Sequence, residues 1–242
     1  IDQEKEAARL KVQFEEFVSP EIARELQRNP ALLEGQNREI TSLFCDLRSF
    51  SAISEKLGAR DTYLLMNDVM DQLTQRVLEH QGVIINYAGD GLAAMWNAPT
   101  DQHDHADRAC LTALAMQEEM AGLNDRWQEK TTIPLRIGIG INTGTAQVGN
   151  AGSKQRIKYG PMGHSVNVAS RVEGATKYLG VPILITEQTI QEMSITMATR
   201  RLCQVRVIGI QEPVSLFELF GQRPEEQWSQ IKKDYEQALS LS

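Results

Sequence analysis

Several features that mark other classes of protein are missing from this chain of 242 residues. Its three cysteines, Cys45, Cys110 and Cys203, are odd in number and too widely spaced for a disulfide framework or a zinc site. No apolar run approaches the ~18–20 residues of a membrane span, and no signal-peptide pattern opens the chain. With 25 basic and 32 acidic residues, the net charge of −7 argues against broad nucleic-acid binding. A globular domain in a reducing, cytoplasmic compartment is expected, although segments outside this chain could tether the full protein to a membrane.

The chain begins with Ile1 rather than Met, and we expect it to be part of a longer protein with an upstream sensor domain. Residues 1–37 are expected to form N-terminal signalling or linker helices, 38–222 the main domain, and 223–242 a polar helical extension. An N-terminal helix is indicated by apolar residues at helical spacing, namely Ala7, Leu10, Phe14 and Phe17. Two heptads leave open whether it is a coiled coil or an amphipathic helix on the core.

Between Glu39 and Phe220 the pattern alternates between strands and helices. Strands are joined both by short turns and by helices, which predicts an α+β fold with a mostly antiparallel central sheet and packed helices. The predicted strands are Glu39–Cys45, Val83–Tyr87, Leu92–Trp96, Leu135–Ile141, Ala146–Gly149, Ile183–Thr186, Arg201–Val207 and Val214–Phe220. The predicted helices are Asp61–His80, His103–Trp127, Ser165–Lys177 and Glu187–Met193.

A group of glycines at 138, 140 and 144 superficially resembles a dinucleotide-binding loop. Gly138 and Gly140 alternate with isoleucines, which indicates a strand with close backbone packing, and no helix opens immediately after them. A Rossmann fingerprint is therefore rejected. Gly144 is predicted to form a turn between two short strands. Farther on, Lys154, Arg156 and Lys158 predict a half-buried strand with one basic face.

Three segments carry residues suited to phosphate chemistry. The first runs from Leu43 to Ser51, where a strand ends on Asp46 and a helix begins, so a carboxylate for a hard cation lies beside free N–H groups for phosphate oxygens. The second places Asp90 in the hairpin turn Ala88-Gly89-Asp90-Gly91. Taken singly, each aspartate is typical of turn or cap chemistry. Together they could hold a pair of Mg²⁺ ions for phosphoryl transfer.

The third segment is a helix with Asn167 and Arg171 four residues apart, on the face opposite Val168 and Val172. An arginine on the buried side, with an asparagine one turn away, would suit the negative charge of a pentavalent phosphorus. A solvent-facing arginine is the structural alternative.

The order and spacing of these segments resemble the class III adenylyl/guanylyl cyclase catalytic domain over roughly Arg38 to Phe220. The matching stretches are FCDLRSFS, INYAGDGLAAMW, LRIGIGINTG and GHSVNVASRVE. The resemblance implies a palm-like, ferredoxin-like fold and the conversion of a purine nucleoside triphosphate to its 3′,5′-cyclic monophosphate. It also implies a head-to-tail homodimer, in which the aspartates and the Asn/Arg pair of one site come from different subunits.

The same resemblance implies roles for individual residues. The implied ligands of two divalent ions, Mg²⁺ or Mn²⁺, are Asp46, the Leu47 carbonyl and Asp90. The implied phosphate contacts are backbone groups of Ser49, Phe50 and Ser51. Asn167 is implied to orient the ribose, and Arg171 to stabilise the transition state.

Three positions depart from the family's pattern. Asn86 stands where adenylyl cyclases usually have Lys and guanylyl cyclases Glu, and its amide can serve either purine. Gly160, after Tyr159, supplies no side chain where adenylyl cyclases have Asp or Thr. Ile208 replaces a Lys that reaches the terminal phosphates, and Arg206 on the same strand face is a candidate substitute. ATP is favoured, as the commoner substrate of bacterial-looking members, and GTP stays open.

Ser49 also replaces the usual glycine of the phosphate loop, a mild change if its φ is negative. The replacements at Asn86, Gly160 and Ile208 leave open a degenerate, nucleotide-binding regulatory domain. Retention of both aspartates and of the Asn/Arg pair argues against that alternative. A diguanylate cyclase is disfavoured by the Asn/Arg pair and by the lack of a GG[DE]EF-type turn.

The run His103-Asp104-His105 invites interpretation as a metal site. It opens the second long helix, where polar residues cap the helix and an aspartate suits the dipole. Helix capping is therefore the favoured interpretation over metal binding.

Overall fold

The computed structural model describes residues 25, 28–153, 158–206 and 213–221. Eight strands in that part of the chain are β1 (Gln36–Leu47), β2 (Val83–Ala88), β3 (Gly91–Trp96), β4 (Ile137–Asn150), β5 (Tyr159–Met162), β6 (Ile183–Thr186), β7 (Ala198–Val205) and β8 (Val214–Gly221). The helices described are α1 (Phe50–Glu79), α2 (His105–Trp127), α3 (His164–Leu179) and α4 (Glu187–Glu192), with a short 3₁₀ helix at Pro30–Leu33.

All eight strands belong to one sheet with the order β2-β3-β1-β4-β6-β8-β7, and β5 pairs with β4. Only the β4–β6 pair is parallel, among the pairs of this described sheet. The mostly antiparallel α+β prediction is therefore confirmed. The predicted N-terminal helix and C-terminal extension lie outside the described residues.

Strand β1 occupies the middle of the sheet and is paired on both sides. It pairs with β4 from Gln36 to Leu47 and with β3 from Thr41 to Asp46. Its residues from Ile40 to Leu43 are all buried, as a central strand requires. The strand is longer than predicted, and it is held by ladders on both sides from Thr41 to Asp46.

The two faces of β4 carry different layers of the molecule. Ile137, Ile139 and Ile141 belong to the main core with α1 and α2. Gly140 faces α3, where an added Cβ would lie 2.0 Å from the backbone nitrogen of Glu173. The close backbone packing predicted for this strand is confirmed, because a helix lies directly on its glycines.

The turn predicted at Gly144 is wrong, because β4 runs without a break from Ile137 to Asn150. Gly144 pairs with Ile40 in the ladder, and an added Cβ there would lie 3.1 Å from the Cβ of Ser165. This glycine therefore accommodates the start of α3 rather than a change of chain direction.

The first long helix begins at Phe50, eleven residues before the predicted start at Asp61. Gly58 interrupts its helical dihedrals with φ 74° and ψ 167°, which explains why the N-terminal part does not follow one periodic pattern. The predicted basic strand lies mostly outside the described residues, and β5 begins at Tyr159. Within the described ranges, no helix has both the length and the apolar composition needed to cross a membrane.

The contact between β4 and α3 generates a stability prediction. Gly140→Ala should destabilise the protein by about 3 kcal/mol, because the new methyl group meets helix backbone that has no rotamer with which to move away. Gly174→Ala on α3 is the matched control, since nothing lies within 4 Å of the added Cβ. The control should be neutral or stabilising by about 0.5–1 kcal/mol. Urea unfolding measures both, and equal effects would contradict the proposed packing constraint.

Candidate active site

The structure brings the two predicted metal-binding aspartates together where β1 ends. Asp46 pairs across the ladder with Gly91, which directly follows Asp90 in the hairpin. The backbone N–H of Leu47 donates to the carbonyl of Asp90 over 3.4 Å. An added Cβ on Gly91 would lie 3.1 Å from Oδ1 of Asp46, so the missing side chain leaves room for this carboxylate. Strand pairing and a glycine together place the two carboxyl groups side by side.

The site has an excess of negative charge. Burial raises the pKa of Asp46 to about 6, and the neighbouring Asp90 carboxylate adds to this shift. Burial likewise raises the pKa of Glu173 to about 7, with further contributions from Asp46 and Asp90 that Arg48 partly offsets. Three crowded carboxyl groups disfavour simultaneous ionisation, and a hard divalent cation would relieve the repulsion. The donor set at Asp46 and Asp90 therefore fits Mg²⁺ or Mn²⁺.

These carboxylates line a cleft of about 400 Å³. Its polar lining comprises Asp46, Asn86, Asp90, Lys158 and Glu173. Its remaining lining is mostly apolar, from Phe44, Cys45, Ile85, Ala88, Gly91, Leu92 and Ala93. The volume and the division between polar and apolar walls are typical of a small-molecule site.

The two positions predicted to read the base lie near each other. Asn86 is an exposed residue of β2 at an irregularity in its pairing with β3, and it lines the cleft. Gly160 is buried in β5, and an added Cβ would lie 3.4 Å from Cγ2 of Ile85. A side chain at position 160 would thus contact the neighbour of Asn86.

The phosphate loop has a left-handed residue where the family usually has glycine. Ser49 has φ 59° and ψ 26°, so the condition under which its replacement of glycine would be mild is not met. An L-residue in this conformation costs about 1 kcal/mol relative to glycine. Ser49 is the N-cap of α1, and the N–H groups of Phe50 and Ser51 have no acceptor within the helix, whereas that of Ala52 donates to the Ser49 carbonyl. The segment therefore offers donors that phosphate oxygens can use.

The side chains of the Asn/Arg pair lie on the solvent-exposed side of their helix. Asn167 and Arg171 are exposed on α3, whereas Val168 and Val172 are buried on its other side. The predicted shared face is confirmed, and within a single chain the arginine faces solvent, which is the structural alternative given by the sequence. Neither residue lines the cleft with the aspartates.

Arg206 is likewise not brought to the cleft. It is exposed and follows β7, at the sheet edge opposite β2. Four strand spacings separate β7 from β1, which corresponds to about 19 Å. Ile208, which occupies the place of the Lys that Arg206 was expected to substitute, lies outside the described residues.

Glu173 and Lys158 line the cleft without having been predicted as site residues. Glu173 follows Arg171 by two positions, about 200° around the helix, so it faces the sheet while Arg171 faces outward. Glu173 could have been found from the glycine at position 140. A glycine in a strand predicts close approach of another backbone, and here that backbone is the part of α3 that carries Glu173. For Lys158, the sequence pattern predicted only that it lies on the basic face of a strand.

Residues 33–219 match the family described as the adenylate and guanylate cyclase catalytic domain. This chain belongs to that family. The membership confirms the resemblance inferred from the sequence segments.

Two relatives that are named as adenylate cyclases are similar to this chain over most of its length. Adenylate cyclase 1 of Rhizobium meliloti is 34% identical over 184 residues, which are 76% of this chain and 28% of the relative. An adenylate cyclase of Anabaena cylindrica is 33% identical over 217 residues, which are 85% of this chain and 42% of the relative. The chain therefore spans less than half the length of these curated relatives.

Solved structures agree with the fold. The adenylyl cyclase CyaB from P. aeruginosa is 31% identical with a TM-score of 0.73, covering 79% of this chain and 98% of that one. The guanylyl cyclase Cya2 is 32% identical with a TM-score of 0.71, covering 79% of this chain and 96% of that one. The class III cyclase fold is confirmed, and both nucleotide preferences occur among its neighbours.

The crowded carboxylates generate a pH-dependent stability prediction. The folded-state pKa of Asp46 exceeds its ordinary value of 3.8, so its ionisation destabilises the fold and this penalty grows as the pH rises through about 4 to 6. Without metal, Asp46→Asn should therefore raise Tm at pH 8 by about 2–4 °C, equivalent to about 1 kcal/mol after allowance for solvent screening. The difference should shrink towards pH 4.

Thermal unfolding in EDTA across this pH range measures the effect. Asp71→Asn is the matched control, because Asp71 is exposed on α1. A lower Tm for Asp46→Asn at pH 8 would contradict the electrostatic crowding.

Proposed function

We propose that this chain is the catalytic domain of an adenylate cyclase that converts ATP to 3′,5′-cyclic AMP and pyrophosphate in a head-to-tail homodimer. The ribose 3′-oxygen attacks the α-phosphorus, the bond to pyrophosphate breaks, and the hydroxyl proton is released. The observation that carries the proposal is that the sheet places Asp46 beside Asp90 and that both line one cleft. Membership of the cyclase family supports it.

Asp46, the Leu47 carbonyl and Asp90 are the residues that would hold two divalent ions. Such ions, when bound, supply charge neutralisation for the triphosphate and a lower pKa for the attacking hydroxyl. The raised pKa of Asp46 supports this role, because a cation would favour the ionised carboxylates that the free protein disfavours.

The remaining roles fall to groups that surround the reacting phosphate. The N–H groups of Ser49, Phe50 and Ser51 would bind phosphate oxygens at the start of α1. Arg171 would stabilise the charge of the transition state, and Asn167 would orient the ribose. Both are exposed and lie outside the cleft of their own chain, which supports a site completed by a second subunit. Arg206 would reach a terminal phosphate only in the same composite arrangement.

ATP is favoured over GTP because the two curated relatives above are named adenylate cyclases. A guanylate cyclase is the second candidate, since Cya2 is 32% identical. The Asn86 amide can donate to one purine and accept from the other. An upstream sensor is proposed as well, because the chain spans less than half of the relatives' length.

The composite site predicts a specific pattern of complementation. Asp46→Ala, Asp90→Ala and Arg171→Ala should each lower kcat at least ~100-fold with Mg²⁺ or Mn²⁺. An equal mixture of Asp46→Ala and Arg171→Ala chains should recover about a quarter of wild-type activity, because half of the dimers are mixed and each carries one intact site of two.

The matched control is a mixture of Asp46→Ala with Asp90→Ala. Both changes affect the metal side of a site, so no mixed dimer has an intact one and no recovery is expected. Equal recovery in the two mixtures, or none in either, would contradict the shared-site dimer. Production of cyclic nucleotide after rapid mixing is the measurement.

The proposed preference for adenine over guanine can be tested with a second assay. The wild-type dimer should show kcat/KM at least ~10-fold higher for ATP than for GTP, about the value of one hydrogen bond. Asn86→Glu should shift the ratio towards GTP by accepting from guanine N–H groups, and Asn86→Lys should shift it towards ATP. A wild-type preference for GTP would select the guanylate cyclase alternative. Tight nucleotide binding without turnover would select the degenerate regulatory domain.

A further inference from the structure

A second cluster of potential metal ligands lies at the opposite end of β1 from the aspartate pair. Glu39 is near the start of β1, His105 is the first residue of α2, and Glu192 is the last residue of α4. One ligand atom from each of the three lies within 4.8 Å of the others. Asp46 is seven residues farther along β1, about 23 Å away at the rise of a strand. The cluster is therefore separate from the candidate active site.

His105 is held in the manner of a metal ligand. Its ring is 4% exposed, and Nδ1 lies 2.7 Å from Oγ1 of Thr41, which in turn lies 2.8 Å from Oγ1 of Thr143. Among the described residues, Nε2 of His105 has no hydrogen-bond partner. Thr143 donates onward to Thr189, so Thr41 can donate to Thr143 and accept from Nδ1 of His105. In that arrangement Nε2 carries a lone pair, as the free nitrogen of a histidine ligand commonly does.

Burial favours the neutral imidazole, which is the form that binds metals. Desolvation lowers the pKa of His105, although Glu39, Glu192, Asp104 and Asp107 act in the opposite direction. The lowered pKa means that His105 supplies no positive charge to these acids near neutral pH.

The two other acids beside His105 already have partners. Asp104 accepts from Arg108, and Asp107 accepts from the backbone N–H groups of Ser194 and Ile195. Glu39 and Glu192 are both exposed, and no cation of the described chain forms an ion pair with either carboxylate. The two carboxylates therefore lie close to a neutral imidazole, and no ion pair within the described ranges neutralises them.

We propose that Glu39, His105 and Glu192 form a binding site for one Zn²⁺ ion that is distinct from the Asp46–Asp90 pair. One imidazole nitrogen and two carboxylates suit Zn²⁺ better than Mg²⁺, which prefers oxygen ligands and retains its waters. Water would complete the coordination.

The site would form with small movements. Zinc–ligand distances of about 2.0–2.2 Å place ligand atoms within about 4 Å of each other, so the carboxylates must approach by about 1 Å. Both glutamates are exposed and can change rotamer without disturbing the core. The bound ion would tie β1, the start of α2 and the end of α4 together, and its role is to stabilise the fold rather than to act on substrate.

Helix capping at this place is only partly confirmed. Asp104 is the N-cap residue of α2, but its side chain makes no capping hydrogen bond and pairs with Arg108 instead. His105 therefore has a role in the structure that the sequence interpretation of the run did not assign.

The test uses the 242-residue chain with Asp46→Asn and Asp90→Asn, which removes the proposed catalytic ligands. Titration of this parent with Zn²⁺ in a calorimeter should give one ion per chain with a micromolar Kd. Saturating Zn²⁺ should raise Tm by about 5 °C or more. His105→Gln in the parent should weaken Zn²⁺ binding about 100-fold, and Glu39→Gln or Glu192→Gln about 10-fold each.

Two matched controls separate this site from adventitious binding. His103→Gln changes an exposed histidine two residues away, and Cys203→Ser removes the partly exposed thiol. Both should leave the Zn²⁺ affinity and stoichiometry of the parent unchanged.

Because Glu39 and Glu192 are exposed, the double variant Glu39→Gln, Glu192→Gln should keep the parent's Tm in EDTA. Unchanged Zn²⁺ affinity in that folded variant would overturn the proposal. Absence of binding to the parent up to about 1 mM Zn²⁺ would overturn it as well. Neither result would affect the proposed cyclase activity, which is measured on wild-type chains.

Discussion

The pairing of β1 on both of its edges is the constraint on which the rest of the structure depends. Ladders with β3 and β4 hold the strand in register up to Asp46, so this carboxylate cannot withdraw from the hairpin that carries Asp90. The repulsion between the two acids is therefore built into the sheet, and it adds to the burial that raises the pKa of Asp46. A protein that keeps such a pair gives up stability in its metal-free form, which is typical of sites that are organised before a ligand arrives.

Close approach of α3 to β4 determines which side chains of that helix can reach the cleft. The glycine at position 140 lets the helix backbone lie on the strand, and Glu173 is directed into the cleft as a result. Arg171 then faces outward, because two residues correspond to about 200° of helical rotation. The same packing therefore adds an acid to the cleft and excludes the arginine from it. In the proposed dimer, the exposed arginine is available to a site on another subunit.

Local signals were sufficient to predict that the described helices and the β2–β3 hairpin exist, because hydrophobic period and turn chemistry act over a few residues. The start of α1 was missed, since Gly58 interrupts the helical period there. The family and the order of the cyclase segments were also predictable, since Asp46, Asp90, Asn167 and Arg171 lie in motifs with fixed spacing. The continuous β4 was not, because Gly144 has turn chemistry locally and serves helix packing in the tertiary structure. The left-handed Ser49 depends on how β1 joins α1, which composition does not encode. The assigned site roles stay predictions.

Separation of Arg171 from the aspartates within one chain has a consequence for control of the proposed activity. If one chain held Arg171 against Asp46 and Asp90, the cation would neutralise the acids and compete with divalent metals before substrate arrived. Placing the arginine on the outer face of α3 avoids this internal pairing, so that charge complementarity would be a property of the proposed dimer. A signal that changes the relative position of two subunits would then change the distance between Arg171 and the bound phosphate. Such a signal would control turnover without altering the fold of either chain.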